Sequence, residues 1–80
     1  MTGKNKSKMA KFYLNRNQQP SGDYEVHQFG CEHGAAPENQ IYLGEFTSCF
    51  GAVAEAKNRY ADNVSHINGC YWCCNPCNTG

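Results

Sequence analysis

Gln40-Ile41-Tyr42-Leu43-Gly44-Glu45-Phe46-Thr47-Ser48-Cys49-Phe50-Gly51-Ala52-Val53-Ala54-Glu55-Ala56-Lys57-Asn58-Arg59-Tyr60 changes its hydrophobic period part-way along. Ile41 and Leu43 alternate with polar neighbours, which is the period of a half-buried strand. Gly44 and Glu45 read as the end of that strand. Thr47 or Ser48 is then an N-cap, because either hydroxyl can accept from an orphan N–H of a first helical turn. Cys49, Val53, Ala56 and Tyr60 follow at i, i+4, i+7 and i+11, so residues 48–61 read as a helix with one apolar stripe. Glu55 and Arg59 form an i, i+4 pair on a more exposed side. Gly51 weakens the first turn by about 1 kcal/mol relative to Ala. Asp62-Asn63 ends the helix.

Upstream, Lys11–Asn15 and Tyr24–Phe29 read as two further strands, with Phe12, Leu14, Tyr24 and Val26 facing a core and His27 facing solvent. Pro20-Ser21-Gly22-Asp23 between them is a turn signal, so the pair is a hairpin. The expected fold is α+β: a small three-stranded antiparallel sheet covered by one helix, with a cysteine-rich C-terminal knuckle. The predicted core is Phe12, Leu14, Tyr24, Val26, Ile41, Leu43, Phe46, Val53, Ala56 and Tyr60.

Eighty residues make one domain with a marginal core, and such scaffolds use a staple. A large buried catalytic pocket is not expected at this size. Five of the seven cations, Lys4, Lys6, Lys8, Lys11 and Arg16, fall in the first sixteen residues, and all seven acids come later. Residues 1–10 therefore read as a disordered basic arm on an acidic single domain over 11–80. Such an arm can touch phosphates, but it also serves as a solvated tail. The acidic body argues against nucleic-acid binding by the folded part. There is no export signal and no run of transmembrane length, so the expected compartment is the cytoplasm, where thiols stay reduced. No membrane partner is expected; a protein partner and the oligomeric state stay open.

The staple is sought in six cysteines, four of them in Gly69-Cys70-Tyr71-Trp72-Cys73-Cys74-Asn75-Pro76-Cys77. A C-x2-C turn points two thiolates at one ion, and Zn²⁺ takes four such ligands. Cys31, Cys70, Cys73 and Cys77 are the expected zinc set, with Cys74 pointing elsewhere and His33 or His66 as substitutes for the distant ligand. Two other readings stand beside zinc. Six cysteines can pair into disulfides, each contributing about 2–4 kcal/mol. Cys70-Tyr71-Trp72-Cys73 has the spacing of a thiol oxidoreductase or thiol sensor, although no helix follows Cys70 to lower its pKa. Cys49 sits where a helix dipole favours a thiolate, and equally reads as a small core residue. Tyr71 and Trp72 read as a cover over the cysteines. No phosphate loop, paired carboxylates or Ser/His/Asp set is present, so no catalytic residue is assigned.

Several segments together resemble a group of small, uncharacterised bacterial proteins. They are Gly22-Asp23-Tyr24-Glu25-Val26-His27 with Gly30-Cys31, Ile41-Tyr42-Leu43-Gly44-Glu45-Phe46 with Cys49, Ala52-Val53 with Ala56-Lys57 and Tyr60, and Gly69-Cys70 with Cys73 and Cys77. In that group a His often stands where this chain has Tyr24 and Asn78. The resemblance spans most of residues 11–80 and implies no activity.

Overall fold

The computed structural model describes residues 9–79; the basic arm expected over 1–10 lies outside them except for Met9 and Ala10. Four strands, β1 (Ala10–Asn15), β2 (Tyr24–Gln28), β3 (Gln40–Phe46) and β4 (Ile67–Gly69), and one helix, α1 (Cys49–Arg59), are joined by short 3₁₀ turns at Pro37–Asn39, Ala61–His66 and Asn75–Cys77. The sheet order is β3-β1-β2-β4. β1 pairs antiparallel with β2 and with β3, whereas β4 runs parallel to β2. The α+β class holds, but the sheet is four-stranded and mixed, not three-stranded and antiparallel. Ile67-Asn68-Gly69 is too short to display a two-residue period, so β4 was invisible to pattern reading.

β3 also runs past Gly44. The register of β1 on β3 slips between Phe12 and Tyr13, where Gly44 adopts φ +125°. A glycine at positive φ is the ordinary seat of a bulge, which adds one residue to one strand only. The extra residue changes the parity: Leu43 faces the helix, Glu45 turns outward, and Phe46 turns back to pack on Phe12 with ring centroids 6.2 Å apart.

α1 begins at Ser48, whose Oγ accepts from Phe50 N–H at 3.3 Å. Its buried face is Cys49, Ala52 and Ala56, while Val53 and Tyr60 are only half-buried at the margin. The stripe is thus rotated from the expected one, because small Ala52 lets the helix approach Phe12, Leu14, Val26 and Leu43 closely. Gly51 has a positive reason as well, since a Cβ there would lie 2.8 Å from the Phe46 ring. Arg59 ties the end of α1 to the edge strand: it donates to Glu55 at 2.7 Å and to the Tyr42 and Leu43 carbonyls at 2.9 and 3.2 Å. These bonds occupy carbonyls of an edge strand that would otherwise be open to another chain.

The other face of the sheet is covered by the loop after β2. Tyr13 is buried there, and its hydroxyl accepts from Ala35 N–H at 2.8 Å. Gly34 lies directly against that hydroxyl, leaving no room for a side chain. No helix among the described residues is long and apolar enough to cross a membrane.

Candidate metal centre

Alternation along β2 sends Val26 into the helix-side core and His27 to the opposite face, against Tyr13 at 5.3 Å between ring centroids. Strand alternation alone predicts an exposed His27, but it is only 1% exposed, because the loop after β2 folds back over it. That loop turns at Gly30, with φ +89°, and Cys31 N–H donates to Gln28 O at 3.1 Å. Cys31 is thereby returned toward the strand it has just left.

The tail supplies the other half. Cys70 N–H donates to Val26 O at 2.9 Å, which extends the parallel pairing of β4 and fixes Cys70 beside β2. Cys74 N–H then donates to Cys70 O at 2.9 Å and closes a tight turn around Tyr71-Trp72-Cys73. Gly69 permits the tail to fold over so closely: a Cβ there would lie 2.8 Å from both Cys74 O and Cys77 Cβ.

These segments bring His27, Cys31, Cys70 and Cys73 into one group whose ligand atoms all lie within 4.8 Å of one another. Cys31 Sγ is 3.9 Å from Cys70 Sγ, and Cys73 Sγ is 3.8 Å from His27 Nδ1. A tetrahedral ion with metal–sulfur bonds near 2.3 Å has ligand–ligand edges of about 3.8 Å, so the group can hold a metal ion. Two main-chain N–H groups also point at sulfur: Trp72 N–H at 3.3 Å from Cys70 Sγ and Gln28 N–H at 3.2 Å from Cys73 Sγ. Donors placed this way favour the ionised thiolates that metals take.

Electrostatics without a cation run the other way. Burial, the hydrogen bond with Cys31 and the neighbouring thiols hold the Cys73 thiol far above its ordinary range, opposed in part by Gln28 N–H. Burial likewise raises Cys74. Burial, with His33 nearby, lowers His27 and keeps it a neutral imidazole, the form that binds metal. Its Nδ1 faces Cys73, and its Nε2 is a buried atom with no hydrogen bond among the described residues, 3.6 Å from Glu25 Oε1. Burial and Asp23 raise the Glu25 carboxyl.

Of the four expected ligands, Cys31, Cys70 and Cys73 come together and Cys77 does not. Cys77 is disulfide-bonded to Cys49, with Cα atoms 6.4 Å apart. The physical reason is the path of the tail: after the C-x2-C turn the chain crosses to the helix side, where Cys49 occupies the buried face of α1. A metal-ligand grouping and a disulfide, expected as alternatives, here fall to two different sets of cysteines. Cys74 points to neither and is fully buried in the core. His33 and His66 are not in the group; His33 stacks on Trp72 with centroids 4.5 Å apart. Trp72 and Tyr71 stay largely exposed, at 64% and 57%, so they rim the cysteines without sealing them. The missed residue is His27. Its signal was the His27-x3-Cys31 spacing at the end of a strand, where a turn returns the second residue toward the first.

Comparison of the chain with protein-family models, with curated proteins and with solved structures gave no match.

Proposed function

We propose that this chain is a non-enzymatic binding module whose fold is held by a structural zinc ion on His27 Nδ1 and the Cys31, Cys70 and Cys73 thiolates. The observation that carries the reading is the size of the ligand group, with every donor within 4.8 Å of the others. That spacing suits a single ion. Three sulfurs and one imidazole are a borderline-soft set that favours Zn²⁺ over the oxygen-seeking Mg²⁺ and Ca²⁺. Four protein ligands close a tetrahedral site and leave no position for a substrate or a reactive water, which is the pattern of structural zinc. When bound, the ion supplies a cross-link between β2, the loop after it and the tail. The partner of the module is a protein, and the exposed Tyr71 and Trp72 beside the centre are its contact residues.

The test is native mass spectrometry of the full chain purified without oxidant, followed by chelation. One zinc per chain is expected, with loss of the metal loosening the fold, because the unfolded chain has no preformed site. The same mass reports whether Cys49 and Cys77 have lost their thiol hydrogens. Metal-free protein that keeps its fold with Cys31, Cys70 and Cys73 rapidly alkylated would overturn the zinc reading and favour the alternative, a thiol oxidoreductase or sensor.

A further inference from the structure

The helix side of the sheet carries a second feature at the end remote from the thiols. Between the sheet and the segment that follows α1 lies a hollow of about 190 Å³. Its floor is Leu14, Ile41 and Ile67, one residue from each of three strands, with Leu14 and Ile67 buried and Ile41 half-buried. Tyr24 and Tyr60 form half-buried walls, and Arg16 and Asn63 stand exposed at the mouth. At a liquid share of about 30 Å³ per water, the hollow holds roughly six waters, the space of a single ring or a short aliphatic chain.

The charge at the mouth is unbalanced. None of the lining residues is acidic. The chain has two arginines, and Arg59 is engaged by Glu55 and two carbonyls, whereas Arg16 forms no ion pair among the described residues. The Arg16 main chain is fixed by its N–H to Asn39 O at 2.9 Å, so the root of the side chain does not wander. A guanidinium presents a planar fork of donors that matches a carboxylate. An apolar floor with a few polar groups converging at its rim is the make-up of a small-molecule site.

We propose that this hollow binds small apolar carboxylates, with the ring or chain on Leu14, Ile41 and Ile67 and the carboxylate on Arg16. The proposal stands apart from the metal reading, since the hollow and the thiol group lie on opposite faces of the sheet.

The experiment is an amide-resolved NMR titration of the full chain with benzoate, hexanoate and the neutral isostere benzamide, repeated on Arg16→Gln. Arg16 is exposed, so the variant should keep the rest of the spectrum and its fold. Saturable shifts confined to Leu14, Arg16, Tyr24, Ile41, Tyr60, Asn63 and Ile67 are expected at millimolar acid. Binding by benzoate alone, or by both acids, supports the site and tells whether it prefers a ring or a chain. Benzamide should bind at least about tenfold more weakly, and Arg16→Gln should erase that difference. Absence of shifts from both acids, equal binding of benzamide, or unchanged benzoate binding by Arg16→Gln would each overturn the proposal.

Discussion

Gly69→Ala is the sharpest single perturbation of the tail. The added methyl would sit 2.8 Å from Cys74 O, 2.8 Å from Cys77 Cβ and 3.1 Å from Cys74 Cβ. None of these neighbours can yield cheaply. Cys74 O belongs to main chain held by the turn, Cys77 Cβ is tied through its sulfur to α1, and Cys74 is wholly buried. Overpacking of this kind costs about 1–3 kcal/mol. In a domain of this size each kcal/mol moves the melting temperature by about 4–8 °C, so a fall of roughly 5–20 °C is expected. Gly22→Ala is the control: φ there is +99°, but nothing lies within 4 Å of the added Cβ. It should cost about 1 kcal/mol from backbone strain alone. Thermal unfolding followed by circular dichroism on both variants reads the difference. Because Gly69 immediately precedes Cys70, the first change should also weaken metal binding, and Gly22→Ala should not. A Gly69→Ala protein that melts no lower than Gly22→Ala and binds zinc normally would refute the close packing of the tail on which the site depends.

Glu25→Ala removes the carboxylate facing His27 Nε2; outer-shell partners of ligating histidines are worth about 10–100-fold in metal affinity, so competition with a chelating dye should show a loss of that order, with Glu25→Gln closer to the parent. Ala52→Asp buries an unpaired charge against the sheet and should unfold the chain, while Lys57→Asp on the exposed side of α1 should leave the urea midpoint nearly unchanged. Equal midpoints would reject the face assigned to the helix. The pH dependence of the metal-free protein has two limbs. His27 is depressed below its ordinary 6.5, so the unfolded chain binds the proton first, and stability declines as pH falls below that value. Cys73 is raised above its ordinary 9.0, so the unfolded chain loses the proton first, and stability declines as pH rises beyond it. Urea midpoints measured from pH 5 to 10 should peak between, as read by fluorescence of Trp72. Zinc uptake should release protons and shrink the alkaline limb to the part that buried, non-ligating Cys74 contributes, since bound thiolates carry no proton to lose; a limb unchanged by zinc would count against thiolate ligation.

The helix and three of the strands were legible because each carries its own signal. Ser48 caps where a cap was expected, Pro20 to Asp23 turns the hairpin, and Ile41 and Leu43 alternate as a strand should. Gly44 was legible only in part: a glycine after an alternating run signals a break, and whether the strand stops or bulges depends on a partner, Phe12, that lies outside the run. β4 and the helix face were set by neighbours too. Ile67 to Gly69 is a strand because Tyr24 to Val26 offers it an edge, and Ala52 displaces Val53 from the interface because the helix comes close. The same distinction governs the site. Cys70 and Cys73 are paired by local spacing and could be read off the chain, and Cys31 follows from its Gly-flanked loop. His27 needed the knowledge that a loop would cover its face, and Cys77 needed the side of the sheet on which the tail finishes.

The parallel pairing of β4 with β2 has a consequence for synthesis. Val26 waits for Gly69, His27 and Cys31 wait for Cys70 and Cys73, and Cys49 waits for Cys77. Translation must pass residue 69 before the first of these partners can meet and residue 77 before the last can, and pairings of such long sequence separation are slow to close. A nascent chain halted near residue 66 already contains β1, β2, β3 and α1, yet His27 and Cys31 lack Cys70 and Cys73, and the outer edge of β2 lies open. That interval is when the chain is most vulnerable to strand addition from a neighbour and to oxidation of an unpaired Cys49, and a chaperone or an early supply of metal would act on it.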